Sequence, residues 1–151
     1  MRKNILPGFI LILLCVHNIS GQEIRKNTLY GGISASLSTL GLWPGLNIEY
    51  ERTLNDMFSV SIRAGTDIAI LPYAEVIMRL FPWQRTFFAG LGATTMLFVF
   101  PIMISPGIGW KIDVGAQDRW VIMPSITIPM LPVRVREHWF IRTNISIGYR
   151  F

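Results

Sequence analysis

Ten ionisable residues share one placement: each lies on the polar side of a segment in which polar and apolar residues alternate. They are Glu49, Glu51, Arg63, Asp67, Glu75, Arg79, Lys111, Asp113, Arg142 and Arg150, five acids and five bases. Balanced charges on one side of a wall can do two things. They can pair into a polar plug, because a buried ion has to be partnered and hydrogen-bonded. They can also line a path for protons or ions. Arg63, Glu49 and Glu51 are the expected neighbours, since their segments would form a hairpin. Acyl chemistry has one candidate centre. His138 adjoins Glu137, and Ser105 or Ser125 would have to supply the hydroxyl. Such a triad needs all three groups within hydrogen-bond reach. The local order His138-Trp139-Phe140 holds no His-x-Ser pattern, so the plainer role is a rim histidine at an interface. No carboxylate–histidine cluster has metal-ligand spacing, and no phosphate-cradling glycine loop opens a helix. No catalytic residue, metal or cofactor is therefore expected.

Strands must position these charges. Eight segments alternate with period two, near residues 29–40, 46–53, 58–68, 73–81, 87–99, 107–117, 120–131 and 138–151. The third has the cleanest pattern: Phe58, Val60, Ile62, Ala64 and Ile68 oppose Ser59, Ser61, Arg63, Gly65 and Asp67. Successive strand side chains point to opposite faces, so each segment has one oily and one polar side. Turns are expected at residues 41–45, at Asn55-Asp56, at residues 82–85 and at Asp118-Arg119, from their Gly, Pro, Asn and Asp content. Loops are expected at residues 100–106 and 132–137. Pro124 and Pro129 weaken the seventh strand, because proline cannot donate to a ladder. One stretch offers a different reading. Residues 86–110 carry no charge and are long enough for a transmembrane helix. Gly90, Gly92, Pro101, Pro106, Gly107 and Gly109 interrupt it, which favours strands.

The last segment says what surrounds the wall. Trp139, Ile141, Thr143, Ile145, Ile147, Tyr149 and Phe151 occupy one parity, with aromatics at both ends and aliphatics between. A strand crossing a bilayer places rings at the interfaces and hydrocarbon in the middle. A final strand ending Tyr149-Arg150-Phe151 resembles the C-terminal signature of bacterial outer-membrane β-barrels. The region after the signal peptide is similar as a whole to small eight-stranded barrels of the OmpA transmembrane-domain and OmpX type. The resemblance implies an all-β fold, an eight-stranded antiparallel up-and-down transmembrane barrel in the bacterial outer membrane. It implies insertion by the barrel assembly machinery, with Tyr149 and Phe151 as the assembly signal, and delivery by periplasmic chaperones. Contacts with outer-membrane lipid and lipopolysaccharide follow, and a monomer is expected. It also implies short periplasmic turns and longer outer loops; here the outer loops are short, which departs from that type. A structural or surface-interaction role comes first, then a narrow pore, then a lipid-modifying enzyme.

Sidedness supports a membrane barrel on physical grounds. A charge facing lipid at mid-depth would cost about 2–4 kcal/mol, and almost none of the charges falls on the apolar parity within a strand. An eight-stranded barrel has an interior only wide enough for side chains to fill. A secreted lipocalin-like barrel is the inverted alternative, with its apolar parity inward and its charges in water.

The remaining features set bounds. Arg2 and Lys3, then an apolar run from Ile5 to Val16, then Asn18 to Gln22, have the three-part layout of a secretory signal peptide. Residues 1–21 are taken as that signal and 22–151 as one barrel domain. Cys15 would leave with the signal and remove disulfides and cysteine metal sites from consideration. The net charge of +5 falls to about +3 without Arg2 and Lys3. No basic cluster with interleaved aromatics appears, so no nucleic-acid partner is expected.

Overall fold

The computed structural model describes residues 27–38, 41–67, 71–83, 86–96, 102–115, 119–130 and 140–151. Its strands are β1 (Asn27–Ser38), β2 (Gly41–Thr53), β3 (Phe58–Asp67), β4 (Leu71–Trp83), β5 (Phe87–Met96), β6 (Met103–Trp110), β7 (Ile112–Val114), β8 (Trp120–Thr127) and β9 (Phe140–Arg150). β6 and β7 are one stave interrupted at Lys111, so the wall is an eight-stranded barrel. Each strand runs antiparallel to its neighbours. β9 pairs back onto β1, and β8 pairs with β6, β7 and β9, which closes the sheet. Closure satisfies the backbone without an edge, which is what a β structure needs where no water reaches.

The barrel has two unlike ends. Asn27, Phe151 and the 54–57 turn lie at one, here the turn end; the other is the loop end. At the turn end Asn55 Oδ1 accepts hydrogen bonds from the amides of Met57 and Phe58, both at 2.8 Å, and this side-chain cap makes the connection tight.

Several boundaries differ from expectation. Residues 41–45, read as a turn, are strand and pair with residues 34–38 of β1. The β2–β3 ladder ends at Gly45 opposite Asp67, so Pro44 lies beyond it, where no β3 partner calls for an N–H. Pro82 and Trp83 extend β4, past an irregularity in register after Leu80. Residues 103–106 belong to β6 and not to a loop. Within the uncharged stretch 86–110, long enough for a helix, the described residues form β5 and β6; among the described residues no helix is long and apolar enough to cross a membrane. Ser38 pairs with Phe140, and the 132–137 loop, Glu137 and His138 lie outside the described residues.

The faces sort cleanly. Ile33, Leu46, Leu91 and Ile147 project outward, each more than half exposed, whereas Glu49, Glu51 and Arg63 are buried inside. The lipocalin-like arrangement, apolar within and charged without, is therefore overturned. The inside carries the ions, and the outside is a continuous apolar surface.

Candidate functional site

The lumen is the candidate site, and its centre is built by register. Glu49 of β2 lies directly opposite Arg63 of β3, which lies directly opposite Glu75 of β4. Facing residues across an antiparallel pair have Cβ atoms about 5 Å apart, so a cross-strand ion pair forms without strain. Arg63 Nε donates to Glu49 Oε2 at 2.8 Å, and Arg63 Nη1 donates to Glu75 Oε2 at 3.2 Å. Arg79 reaches from β4, with Nη2 2.5 Å from Glu49 Oε1 and Nη1 3.6 Å from Glu51 Oε1. Lys111 Nζ donates to Glu51 Oε1 at 2.6 Å, and Tyr30 Oη donates to Glu51 Oε2 at 2.8 Å. Three carboxylates thus face three cations, and all six side chains are buried. In low dielectric such a set is tolerable only because each ion has partners.

The sequence predicted Arg63, Glu49 and Glu51 as neighbours. Arg63 takes Glu49 and Glu75, while Glu51 goes to Lys111 and Arg79. The residue opposite Glu51 on β3 is Ser61, so its cations have to come from farther staves. Lys111 faces inward on the same parity as Ser105 and Gly109, at the point where β6 gives way to β7. Its amide bonds to the Thr86 carbonyl at 2.6 Å while β6 ends and β7 begins.

A second buried pair sits toward the loop end. Arg142 Nη2 donates to Asp67 Oδ2 at 2.6 Å, and the guanidinium lies 3.9 Å over the Tyr73 ring. Between the two ionic sets runs an amide and hydroxyl cluster. Asn47 Nδ2 donates to Asn144 Oδ1 at 2.6 Å, and Asn144 Nδ2 donates to Ser146 Oγ at 2.7 Å. Asp113 and Arg150 depart from the expected lumenal network. They pair with each other at 2.6 Å on the turn-end rim, with 43% and 21% of their side chains exposed. There the strands have left the packed interior, so water reaches both ions.

Buried aromatics and aliphatics also occupy the polar parity, where alternation alone predicts polar residues. Tyr30, Phe81, Phe88, Val121 and Met123 form an apolar plug at the turn end; Tyr73, Met96 and Met103 form another at the loop end. Arg79 stacks 4.9 Å from the Phe88 ring centre and Lys111 4.7 Å from that of Phe81, so the plug and the ions share contacts. Two glycines make room. A Cβ at Gly148 would collide with the Tyr30 ring, and one at Gly109 with the Phe88 ring. The signal was available as aromatics facing glycines across paired strands.

The remaining candidates are placed as follows. Ser105 and Ser125 are buried lumenal residues, and Ser105 Oγ lies 2.6 Å from Thr94 Oγ1. Tyr149 faces outward and stacks edge-on against Trp120 with ring centres 5.2 Å apart; Phe87 and Trp110 pair likewise at 5.5 Å. Phe151 is exposed, and its amide donates to the Asn27 carbonyl at 3.0 Å. Among the described residues no group of histidine, cysteine and carboxylate side chains could hold a metal ion.

No protein-family model matches the chain, and no curated protein does. Solved structures do. A de novo designed transmembrane β-barrel superposes with a TM-score of 0.59 at 12% identity, covering 87% of this chain and 100% of the other. The N-terminal β-barrel domain of Pseudomonas aeruginosa OprF gives 0.55 at 9% identity, covering 82% and 98%. Neisserial surface protein A gives 0.52 at 12% identity, covering 85% and 98%. The chain has the fold of the small eight-stranded outer-membrane β-barrels.

Proposed function

We propose that this protein is an integral outer-membrane barrel with a sealed lumen, acting as a structural or surface element and not as a pore. The observation that carries this reading is the packing of the interior. Among the described residues, apolar clusters lie toward both ends, and paired ions, amides and hydroxyls share the interior with them. An ion crossing would have to displace groups whose partners it cannot replace. The outward faces meet lipid and lipopolysaccharide, and Tyr149 and Phe151 present the terminal aromatics to the barrel assembly machinery after periplasmic chaperones deliver the chain. The protein acts as a monomer, without a cofactor or a catalytic step.

Planar-bilayer recording with the refolded, purified protein tests the sealed lumen. The expected trace is a steady baseline at high voltage. Discrete, reproducible conductance steps would replace this reading with the narrow pore. Lipid A mass spectrometry of cells expressing the wild type and His138→Ala tests the absence of catalysis. Identical spectra are expected, and a modification lost in the variant would establish an enzyme.

A further inference from the structure

The lumen contains a cavity of about 10 Å³ on the side of β5, β6 and β8. Arg79, Ser105, Ser125 and Thr127 border it, together with Phe88 and Gly90. Three features of these groups belong together. Arg79 stands at ion-pair distance from Glu49 and Glu51, yet its three side-chain nitrogens make no aligned hydrogen bond among the described residues. The hydroxyls of Ser125 and Thr127 are buried without a hydrogen-bond partner there. Ser105 belongs to a directed relay. Thr94 donates its only proton to Glu75 Oε1 at 2.9 Å, so in the 2.6 Å contact between Thr94 and Ser105 it is Ser105 that donates. Ser105 Oγ therefore keeps its lone pairs free to accept.

The geometry points to a binding site for one ordered water molecule in this cavity, held by Arg79 and by the hydroxyls of Ser105, Ser125 and Thr127. The space suits a single water, which needs roughly 10–15 Å³ of this kind of volume and two to four polar partners. Water accepts from the guanidinium and donates to Ser105, so it joins Arg79 to the Ser105–Thr94–Glu75 relay. A halide would also accept from Arg79. However, the six central ions already balance, and an added anion would leave a net buried charge. A neutral ligand that both donates and accepts fits both the charge and the hydroxyl set.

Gly90 gives a test in which the two outcomes have opposite sign. A Cβ there would meet Ile77 Cγ2 at 3.4 Å, the Met78 carbonyl at 3.5 Å and Arg79 Cγ at 3.7 Å, which are ordinary contacts. In a dry cavity Gly90→Ala would fill space and stiffen the unfolded chain, and both effects stabilise. In a hydrated one the methyl displaces the water and strands the groups that it served. The expected result is a lower urea midpoint for Gly90→Ala in lipid vesicles. A midpoint that rises or holds overturns the proposal. Nuclear magnetic resonance of the wild-type barrel in micelles reads the site directly. A cross-relaxation peak between long-lived water and the Thr127 methyl is expected, and its absence overturns the site. Exchanging fluoride for bromide at constant ionic strength should leave the wild-type midpoint unmoved. A rise in bromide would assign the cavity to an anion and overturn the water.

Discussion

The two walls of this barrel follow opposite strategies. β2 to β4 and β9 supply the buried lumenal ions other than Lys111, among them Glu49, Arg63, Arg79 and Arg142, and the ladders on this side are long; β1 and β2 pair from Asn27↔Arg52 through Ser38↔Gly41. β5, β6 and β8 supply glycines and hydroxyls, such as Gly92, Gly107, Ser105 and Thr127. Their seam is thin. β6 meets β8 over Gly107↔Thr127, Ile108↔Ile126 and Gly109↔Ser125, with an isolated bridge between Ile104 and Met130. Pro106, Pro124 and Pro129 lie beside that seam and carry no N–H. The contrast shows how a narrow barrel houses several arginines. One wall holds every buried ion except Lys111, while the other, between plug residues such as Phe88 and Met123, gives up volume at its glycines and has the shorter ladder.

The largest expected effect lies in the charged wall. Glu49 accepts from Arg63 and faces Arg79, so Glu49→Gln leaves two buried cations short of a counter-ion. Breaking a buried pair from one side costs about 3–5 kcal/mol. Urea unfolding in lipid vesicles, followed by tryptophan fluorescence, should show a loss of that size. Ser125→Ala in the sparse wall should cost no more than about 1.5 kcal/mol, the net worth of the one hydrogen bond its hydroxyl would make to the proposed water. Equal losses at the two positions would break the contrast between the walls.

Outward positions should not tell the walls apart. Ile62 on β3 and Leu91 on β5 both face away from the lumen and are well exposed. Arginine at either site should cost about 2–4 kcal/mol in a bilayer, the price at mid-depth. A free substitution at either site would mean that the face meets water, and the inside-out polarity of the whole barrel would fail with it.

This sidedness was the part most legible in the sequence. Period-two alternation assigned Glu49, Glu75, Arg79 and Arg142 to one face, and the cost of a charge in lipid said which face that was. Pairing was less legible, because partners depend on register and on reach. Glu51 meets Lys111, 60 residues away, because its cross-strand neighbour on β3 is Ser61 and the long lysine reaches it across the lumen. Residues 41–45 looked like a turn because proline and glycine usually mark one, but Pro44 is tolerated where β2 outruns β3. The plugs were hidden for another reason. Tyr30, Phe81 and Phe88 are apolar residues on a polar parity, which alternation treats as noise, and Met103 fell within the loop expected at residues 100–106. Asp113 and Arg150 kept the right parity but lie past the packed interior, and parity carries no information on depth.

A finer difference should appear in hydrogen exchange. Amides of residues 107–109 and 125–127 belong to the short seam, whereas those of residues 29–36 lie between two long ladders. Local opening follows the density of hydrogen bonds and packing. In lipid, exchange should be measurably faster at the β6–β8 seam than in β1. Equal protection would mean that the prolines and the stave break cost the wall nothing.

Two ion pairs of the same length separate by depth, and the rim pair carries the smallest effect. Asp67–Arg142 and Asp113–Arg150 both close to 2.6 Å, but the first is buried and the second is on the rim. Distance alone would rank them equal. Burial does not, because water screens an exposed pair and long side chains lose entropy in holding it. Asp113→Asn should therefore change stability by no more than about 1 kcal/mol, and less as salt is raised. Asp67→Asn strands Arg142 between Ser36 and the Tyr73 ring and should cost several times as much, on the order of 3 kcal/mol. Measuring both variants at two ionic strengths decides the matter. A rim pair worth as much as the buried one would show that the turn end is shielded from water, and the plug formed by Phe81 and Phe88 would then lie deeper than its burial implies.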